Sequence, residues 1–332
     1  MYESERPSGR AARLHGPLTS SKLSMSGTGG GVYVGILLDV ILPVFLIGGC
    51  GYAIGRVVVS DVTLLIKLVF YVLGPALIFR SIYTSELSWG HAAAIFGFVV
   101  LLQAILFATS RLLGRWRGWG GDTQASASLV LTFANCGNYG LPVLLFAFGD
   151  QGFAFGIVFV LASVMVQSTL GIGVAAWHKG TTWTRTIGHV VRVPYLYAFI
   201  AAVLLRETAI GVPGSLYRSI DLLADAAIPA QLLMLGVQLS RVRLRHFGVD
   251  PLLLSVLKLV VPPLLGWGLT AMMGIDGMLR AVLIVEAGMP SAVNALILAT
   301  NFRRDVPLAA TTVLLSTVLS LMTVTVLLLI LR

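Results

Sequence analysis

Two short segments of this sequence concentrate residues that could do chemistry. FANCGNYGLPVLLFAFG contains Asn135 and Asn138 shortly before Pro142, and VEAGMPSAVNALILAT contains Asn294 shortly after Pro290. An amide side chain both donates and accepts hydrogen bonds, and a proline within a helix removes a backbone donor and clashes with the preceding turn. Each segment therefore predicts a helix interruption flanked by amide groups.

Glycines strengthen both predicted interruptions. Gly137 and Gly140 precede Pro142, and Gly288 precedes Pro290. The half-helices that begin after these breaks would present free N–H groups and positive dipole ends, which favour a carboxylate. The predicted substrate-binding residues are Asn135, Asn138, Gly140, Pro142, Pro290, Ser291 and Asn294. The alternative is that each proline only kinks a packed helix.

Acidic residues inside apolar segments are the candidates for ion coupling. Glu286 lies four residues before Pro290, and Asp225 lies one turn before Pro229. An ionisable group within a membrane span is costly and indicates function by default. Glu286 with Asn135 would hold a sodium ion or carry a proton, and no other cofactor is expected. Alternatively, Glu286 is an anion hydrogen-bonded to the interrupted backbone, with no role in transport.

The composition indicates that these segments lie in a membrane. The chain has 332 residues, of which 57% are apolar and 11% are charged, whereas a soluble domain has about 25% charged residues. A disordered chain, a nucleic-acid-binding protein and an ordinary soluble enzyme are excluded. The formal charge of +9 is explained by arginines in short polar loops.

The apolar runs predict an all-α membrane protein with ten transmembrane helices, each near the length of about 20 residues that spans a bilayer. The predicted spans are about 32–54, 62–83, 89–113, 124–148, 153–177, 194–205 with extension to either side, 216–239, 251–273, 279–300 and 307–331.

The two halves of the chain repeat the same order of motifs. Pro75 and Pro229 stand at matching points of the second and seventh spans, and Pro142 and Pro290 at matching points of the fourth and ninth. Each half has an odd number of spans, so the second enters the membrane in the opposite sense, as in many secondary transporters. The predicted parts are a disordered tail (1–30), a first five-helix repeat (31–178), a cytoplasmic linker (179–193) and a second repeat (194–332).

The basic residues predict the orientation. Most of the Lys and Arg residues outside the tail fall in the loops that follow odd-numbered spans. The positive-inside rule therefore places the central loop in the cytoplasm and both termini outside, in the plasma (inner) membrane.

The Pro-centred motifs resemble those of the auxin efflux carrier family, which includes bacterial permeases and the plant PIN proteins. The segments that carry the resemblance are NCGNYGLP with LLFAFG, EAGMPSAVNALILA with AATTVLLSTVLSL, LLDVILPVFLIGGCGYAIGR and DAAIPAQLLMLGVQL. The resemblance covers about residues 33–331. The resemblance implies a 5+5 inverted repeat akin to the bile-acid symporters, in which helices 4 and 9 are broken and cross. It also implies a moving domain of helices 3–5 and 8–10, and a homodimer through helices 1, 2, 6 and 7.

The predicted function is secondary active transport of small organic anions such as malate, malonate or auxin-like carboxylates, by an elevator-type alternating-access mechanism. The alternatives are a cation/proton antiporter of the same architecture and a channel or sensor that does not pump. We expect no enzymatic activity, because H-E-x-x-H and G-x-S-x-G are absent from the sequence. The expected partners are the organic anion, the lipid bilayer and a second copy of the chain, with no nucleic acid.

Overall fold

The computed structural model describes residues 35–58, 61–176, 194–208, 210–242 and 248–331. The predicted tail (1–30) and all of the predicted linker (179–193) lie outside the described residues. The described chain is almost entirely helical. The helices are α1 Leu37–Val57, α2 Thr63–Tyr83, α3 Trp89–Arg117, α4 Gly121–Thr132, α5 Leu141–Ala176, α6 Pro194–Glu207, α7 Gly214–Ser240, α8 Val249–Met272, α9 Gly277–Ala287, α10 Val293–Asn301 and α11 Val306–Leu331.

Several of these helices fit a multi-pass membrane protein. Among the described residues, seven helices are long and apolar enough to cross a membrane, namely α1, α2, α3, the helical stretch Cys136–Gln167, α7, α8 and α11. Helices α4, α6, α9 and α10 are shorter. The stretch α5 contains a non-helical residue, Gly149, with φ of 64°. This left-handed conformation is easily adopted by glycine and divides α5 into two helices.

Prolines explain three local changes of helix type. Segments of π-helix occur at Leu37–Ile41, Val69–Leu73 and Cys136–Gly140. A proline stands two residues after the end of each, as Pro43, Pro75 and Pro142. A proline lacks an N–H and its ring clashes with the carbonyl four residues earlier, which lies inside the preceding π segment in each case. The wider π turn accommodates that carbonyl.

The helices pack in two groups. Helix α1 packs on α7, and α2 packs on both α6 and α7. In the second group, α3 packs on α4 and α5, α8 packs on α9 and α11, and α10 packs on α4 and α11. The segment that leads into α5 contacts α7. The residues between α4 and α5 therefore lie where the two groups meet.

Glycines allow the backbones of α1 and α7 to approach closely. A methyl carbon added at Gly51 would lie 2.8 Å from Cα of Leu233, and one added at Gly236 would lie 2.6 Å from the backbone nitrogen of Tyr52. One added at Gly55 would lie 3.0 Å from Cα of Val237. Small residues at such spacing are what bring membrane helices together.

We expect Gly51→Ala to lower the melting temperature of the purified protein. The methyl group would overlap the backbone of Leu233, and such overpacking costs about 1–3 kcal/mol. Gly49→Ala is the matched control, because an added carbon there has no neighbour within 4 Å among the described residues. Equal melting temperatures for the two variants would contradict this account of the packing.

Candidate functional site

The chain is not helical at residues 133–135 and 288–292, which we call the first and second interruptions. They pair with each other through an isolated antiparallel bridge between Ala134 and Ser291. The N–H of Asn135 donates to the carbonyl of Pro290 at 2.8 Å, and the N–H of Ala292 donates to the carbonyl of Phe133 at 2.9 Å. Each interruption thus satisfies backbone groups that the other exposes, as a lipid environment requires.

Two side chains bind carbonyls that the end of α4 leaves without helical partners. The hydroxyl of Ser291 donates to the carbonyl of Val130 at 2.8 Å. The ammonium of Lys258 donates to the carbonyl of Leu131 at 3.2 Å. Lys258 is buried on α8, and its Nζ donor lies at the carbonyl end of α4, the negative end of that helix dipole. Lys258 therefore supports the first interruption, a role that sequence reasoning did not assign to it.

Asn135 offers an unused amide donor inside the protein. The residue is 5% exposed. Its backbone carbonyl accepts hydrogen bonds from the backbone N–H of Gly140 at 3.0 Å and from that of Tyr139 at 3.3 Å. Its side-chain Nδ2 has no hydrogen-bond partner among the described residues. Because a buried amide without a partner costs free energy, this group is suited to a ligand that accepts hydrogen bonds.

Glu286 is enclosed beside the first interruption. Its exposure is 0%, and its two oxygens have no hydrogen-bond partner among the described residues. Its carboxylate lies against two glycines: a carbon added at Gly140 would be 2.8 Å from Oε1, and one added at Gly156 would be 3.4 Å from Oε1. A charged carboxylate buried without hydrogen bonds is costly, so this group is suited to accept a proton or a cation.

A small cavity connects the two packing groups. It has a volume of about 20 Å³ and is lined by residues that include Asn138, Gly74, Tyr195 and Gln231. A carbon added at Gly74 would lie 2.6 Å from the hydroxyl of Tyr195, so this glycine makes room for the tyrosine ring. Oε1 of Gln231 is buried and has no hydrogen-bond partner among the described residues. The cavity has room for about one water molecule in this conformation.

Sequence reasoning did not select Gln231 and Tyr195. Gln231 stands two residues after Pro229, so a glutamine beside a helical proline in an apolar run was the signal that could have identified it. The sequence around Tyr195 contains no comparable signal, because its position depends on the packing of α6 against α2.

The remaining predicted site residues occupy different surroundings. Pro142 and Pro290 are buried, whereas Asn294 is exposed on the first turn of α10. Asp225 forms an ion pair with Arg80, which also binds Asp221 at 2.9 Å. The carboxylate of Asp225 is half exposed. The contacts thus join Asn135, Gly140, Pro290, Ser291 and Glu286 in one site and assign Asp225 to a separate cluster between α2 and α7.

The helices that begin after the two interruptions have N-termini without a capping side chain. Among the described residues, no side chain forms a capping hydrogen bond at Asn135, before the segment Cys136–Gly140, or at Ala292, before α10. Uncapped helix N-termini attract anions through their N–H groups and the helix dipole. The site thus combines positive helix ends, an unpaired amide and one enclosed carboxyl group.

Comparison with known proteins gives consistent matches over almost the whole chain. The model of a family described as "Membrane transport protein" matches residues 36–328. An uncharacterized transporter of Methanothermobacter thermautotrophicus is 28% identical over 284 residues, which cover 85% of this chain and 93% of that protein. An uncharacterized transporter of Methanocaldococcus jannaschii is 27% identical over 299 residues, which cover 87% of this chain and 97% of that protein.

Proposed function

Because this chain belongs to the membrane transport protein family, that of the auxin efflux carriers, we propose that it is a secondary active transporter of small organic anions such as malate, malonate or auxin-like carboxylates. The observation that carries this proposal is the pairing of the two interruptions. They bring the unpaired amide of Asn135 together with two uncapped helix starts. This combination suits a carboxylate better than a cation or a neutral solute.

The proposed membrane arrangement has ten spans. In it, α4 with the helix that follows to Gly149 forms the fourth span, α9 with α10 forms the ninth, and the part of α5 after Gly149 forms the fifth. The two halves are then five-span repeats of opposite orientation, and the bridge between Ala134 and Ser291 is where broken helices 4 and 9 cross. This reading explains why α4, α9 and α10 are too short to cross a bilayer alone.

The proposed binding mode uses both sides of this crossing. The Nδ2 donors of Asn135 and the N–H groups that open the next helix would hold the carboxylate. Asn138, beside the cavity that Gln231 also lines, would bind a second polar group of the substrate. Gly140 on the fourth span, with Ser291 and Asn294 on the ninth, would complete the site. Pro142 and Pro290 would keep the two helix starts open, because neither residue can continue a helical ladder.

The proposed mechanism is of the elevator type. The cavity of about 20 Å³ is far smaller than a ligand pocket, which typically exceeds about 300 Å³. Substrate binding therefore requires α2, α6 and α7 to separate from the segment around Asn138 that follows the first interruption. In this mechanism α1, α2, α6 and α7 form the scaffold and the homodimer contact, while α3–α5 and α8–α11 move with the substrate.

Glu286 is the proposed coupling group. A proton or a sodium ion on its carboxylate would neutralise a charge that is otherwise enclosed without a partner. A neutral Glu286 would also remove a repulsive charge near the bound anion. Asp225 is the second candidate for coupling, through exchange of its ion pair with Arg80. The enclosed Glu286 also favours the second candidate function, a cation/proton antiporter in which this residue carries the transported ion.

The orientation proposed for this multi-pass protein is a cytoplasmic central loop and external termini in the plasma (inner) membrane. It is supported by the basic residues at the ends of α3 and α10, namely Arg111, Arg115, Arg117, Arg303 and Arg304. Both groups would then lie on the cytoplasmic side.

A ligand screen tests the proposed function. The purified protein would be heated with a panel of monocarboxylates, dicarboxylates and indole acids, and with sodium and potassium chloride as controls. A binding acid stabilises the folded state by mass action, so at least one acid is expected to raise the melting temperature. Stabilisation by cations alone, with no response to any acid, would favour the antiporter instead.

We expect Glu286→Gln to remove the dependence of transport on an imposed sodium or proton gradient. The amide has the same shape but cannot release a proton or neutralise a bound cation. Uptake into proteoliposomes would be measured with each gradient in turn. The matched control is Glu86→Gln, which changes an exposed carboxylate between α2 and α3. Gradient dependence in Glu286→Gln identical to that of the wild type would exclude Glu286 as the coupling group.

A further inference from the structure

A second, larger cavity lies away from the paired interruptions. It has a volume of about 420 Å³ and opens between the end of α3, the start of α4 and the loop after α10. Its lining includes Arg111, Arg115, Arg304, Trp119 and Gly121. The volume falls within the range of sites that bind small molecules, about 300–1,000 Å³.

The charges around this cavity favour an anion. Arg111 and Arg115 are four residues apart and therefore lie on the same face of α3. The side chain of Arg304 is only 5% exposed, and its guanidinium donates to the carboxylate of Asp122 at 2.7 Å. Its guanidinium is therefore held in place rather than free in solvent. Among the described residues that line the cavity, three are arginines and none is acidic, so the lining itself favours an anion.

The start of α4 adds backbone donors to the same cavity. Gly121 and Gln124, in the first turn of α4, line it. Among the described residues, no side chain forms a capping hydrogen bond at Gly120, which precedes this turn. Arginine guanidinium groups together with the N–H groups of a helix start are the donors that bind phosphate oxygens.

The position of the cavity along α3 indicates which phosphate reaches it. Helix α3 is long and apolar enough to cross a membrane and ends at Arg117. Leu112 and Trp116, on its last turns, are exposed. Apolar and tryptophan side chains of this kind lie against lipid at the interface, at the depth of the phospholipid headgroups. Headgroup phosphates are therefore present at the mouth of the cavity at high local concentration.

We propose that this cavity binds the phosphate of an anionic phospholipid headgroup. Arg111 and Arg115 on α3, with Arg304 behind them, hold the phosphate, and the exposed side chains of Leu112 and Trp116 contact the acyl chains. The site is built from α3, α4 and the loop after α10, which belong to the packing group that carries both interruptions. A bound lipid therefore stabilises that group, and this binding depends on the membrane location of the chain but not on which solute it transports.

Thermal stability in defined lipid tests the proposal. The wild type would be measured in nanodiscs of phosphatidylcholine alone and in nanodiscs that also contain phosphatidylglycerol. A third sample would contain phosphatidylcholine with inorganic phosphate or glycerol phosphate in solution. We expect the anionic lipid to raise the melting temperature, and the soluble phosphates to have little effect.

The variants Arg115→Gln and Arg111→Gln/Arg115→Gln are expected to lose this lipid-dependent increase. Arg56→Gln/Lys67→Gln is the matched control, because it removes two exposed positive charges, one in the last turn of α1 and one near the start of α2, and should keep the full increase. Arg115→Lys, which keeps the charge, should retain most of it. If Arg111→Gln/Arg115→Gln does not fold, the single variant and native mass spectrometry of lipid adducts give the same comparison.

Two results would overturn the proposal. The first is an unchanged lipid-dependent increase in Arg115→Gln and in the double variant. The second is an equal increase with soluble phosphate, which would assign the cavity to a free phosphate compound instead of a lipid.

Discussion

Replacing Asn135 with alanine is expected to lower transport of the substrate acid more than tenfold while leaving the protein folded. The wild-type amide Nδ2 is buried without a partner, so its removal does not break a hydrogen bond within the described part of the protein. It does remove donors for the substrate carboxylate, and each hydrogen bond to a charged group contributes about 1.5–3 kcal/mol. A loss of that size weakens binding by roughly ten- to a hundredfold.

The measurement is initial uptake into proteoliposomes at a substrate concentration below saturation, together with the melting temperature. Asn301→Ala provides the control, because Asn301 is an exposed asparagine at the end of α10. The backbone hydrogen bonds of Asn135 to Pro290 and Gly140 remain in Asn135→Ala. Normal uptake by this variant would show that the substrate does not depend on the amide.

Gly140→Ala is expected to abolish transport and also to destabilise the protein. The added methyl would occupy space next to the carboxylate of Glu286, 2.8 Å from Oε1 and closer to Oε2. Since Glu286 is fully buried, its carboxylate cannot move into solvent to make room. Overpacking of this kind costs about 1–3 kcal/mol and would displace the proposed coupling group from its position.

The control for this prediction is Gly137→Ala in the same segment. An added carbon at Gly137 has its nearest neighbour, Cγ1 of Val160, at 3.8 Å, an ordinary contact. The double variant Gly140→Ala/Glu286→Ala should regain part of the lost stability, because it removes the side chain that the methyl meets, but not transport. If the loss of stability in the double variant equalled the sum of the losses in the two single variants, the proposed contact would be contradicted.

The parts of the fold that follow from local chemistry could be predicted from the sequence. Apolar runs predicted helices that are long and apolar enough to cross a membrane, such as α1, α3 and α11, since the length and composition of such helices are set by the bilayer. Prolines and glycines predicted interruptions around Pro142 and Pro290, and the described chain is not helical nearby, at 133–135 and 288–292. The same residue type gives no reliable boundary by itself, because Pro229 and the pair Pro262 and Pro263 lie inside α7 and α8. The match to the family model agrees with the motifs built on these residues.

The chemistry of the site depended on contacts that no sequence pattern reveals. Lys258 binds the carbonyl of Leu131, which lies on a helix far away in the sequence. Gln231 lines the cavity beside Asn138 only because α7 packs against the segment Cys136–Gly140. Asp225 has a carboxylate near a proline, as Glu286 does, yet it pairs with Arg80. Partners of this kind are set by tertiary packing.

The central claim is that the paired interruptions bind a small carboxylate that the protein then carries across the membrane. Counterflow in proteoliposomes tests it most directly: vesicles loaded with the acid selected by the ligand screen are diluted into a trace of the labelled acid. The account predicts transient accumulation of label by the wild type and none by Asn135→Ala. Absence of counterflow with every carboxylate tested, or equal accumulation by the two proteins, would contradict it.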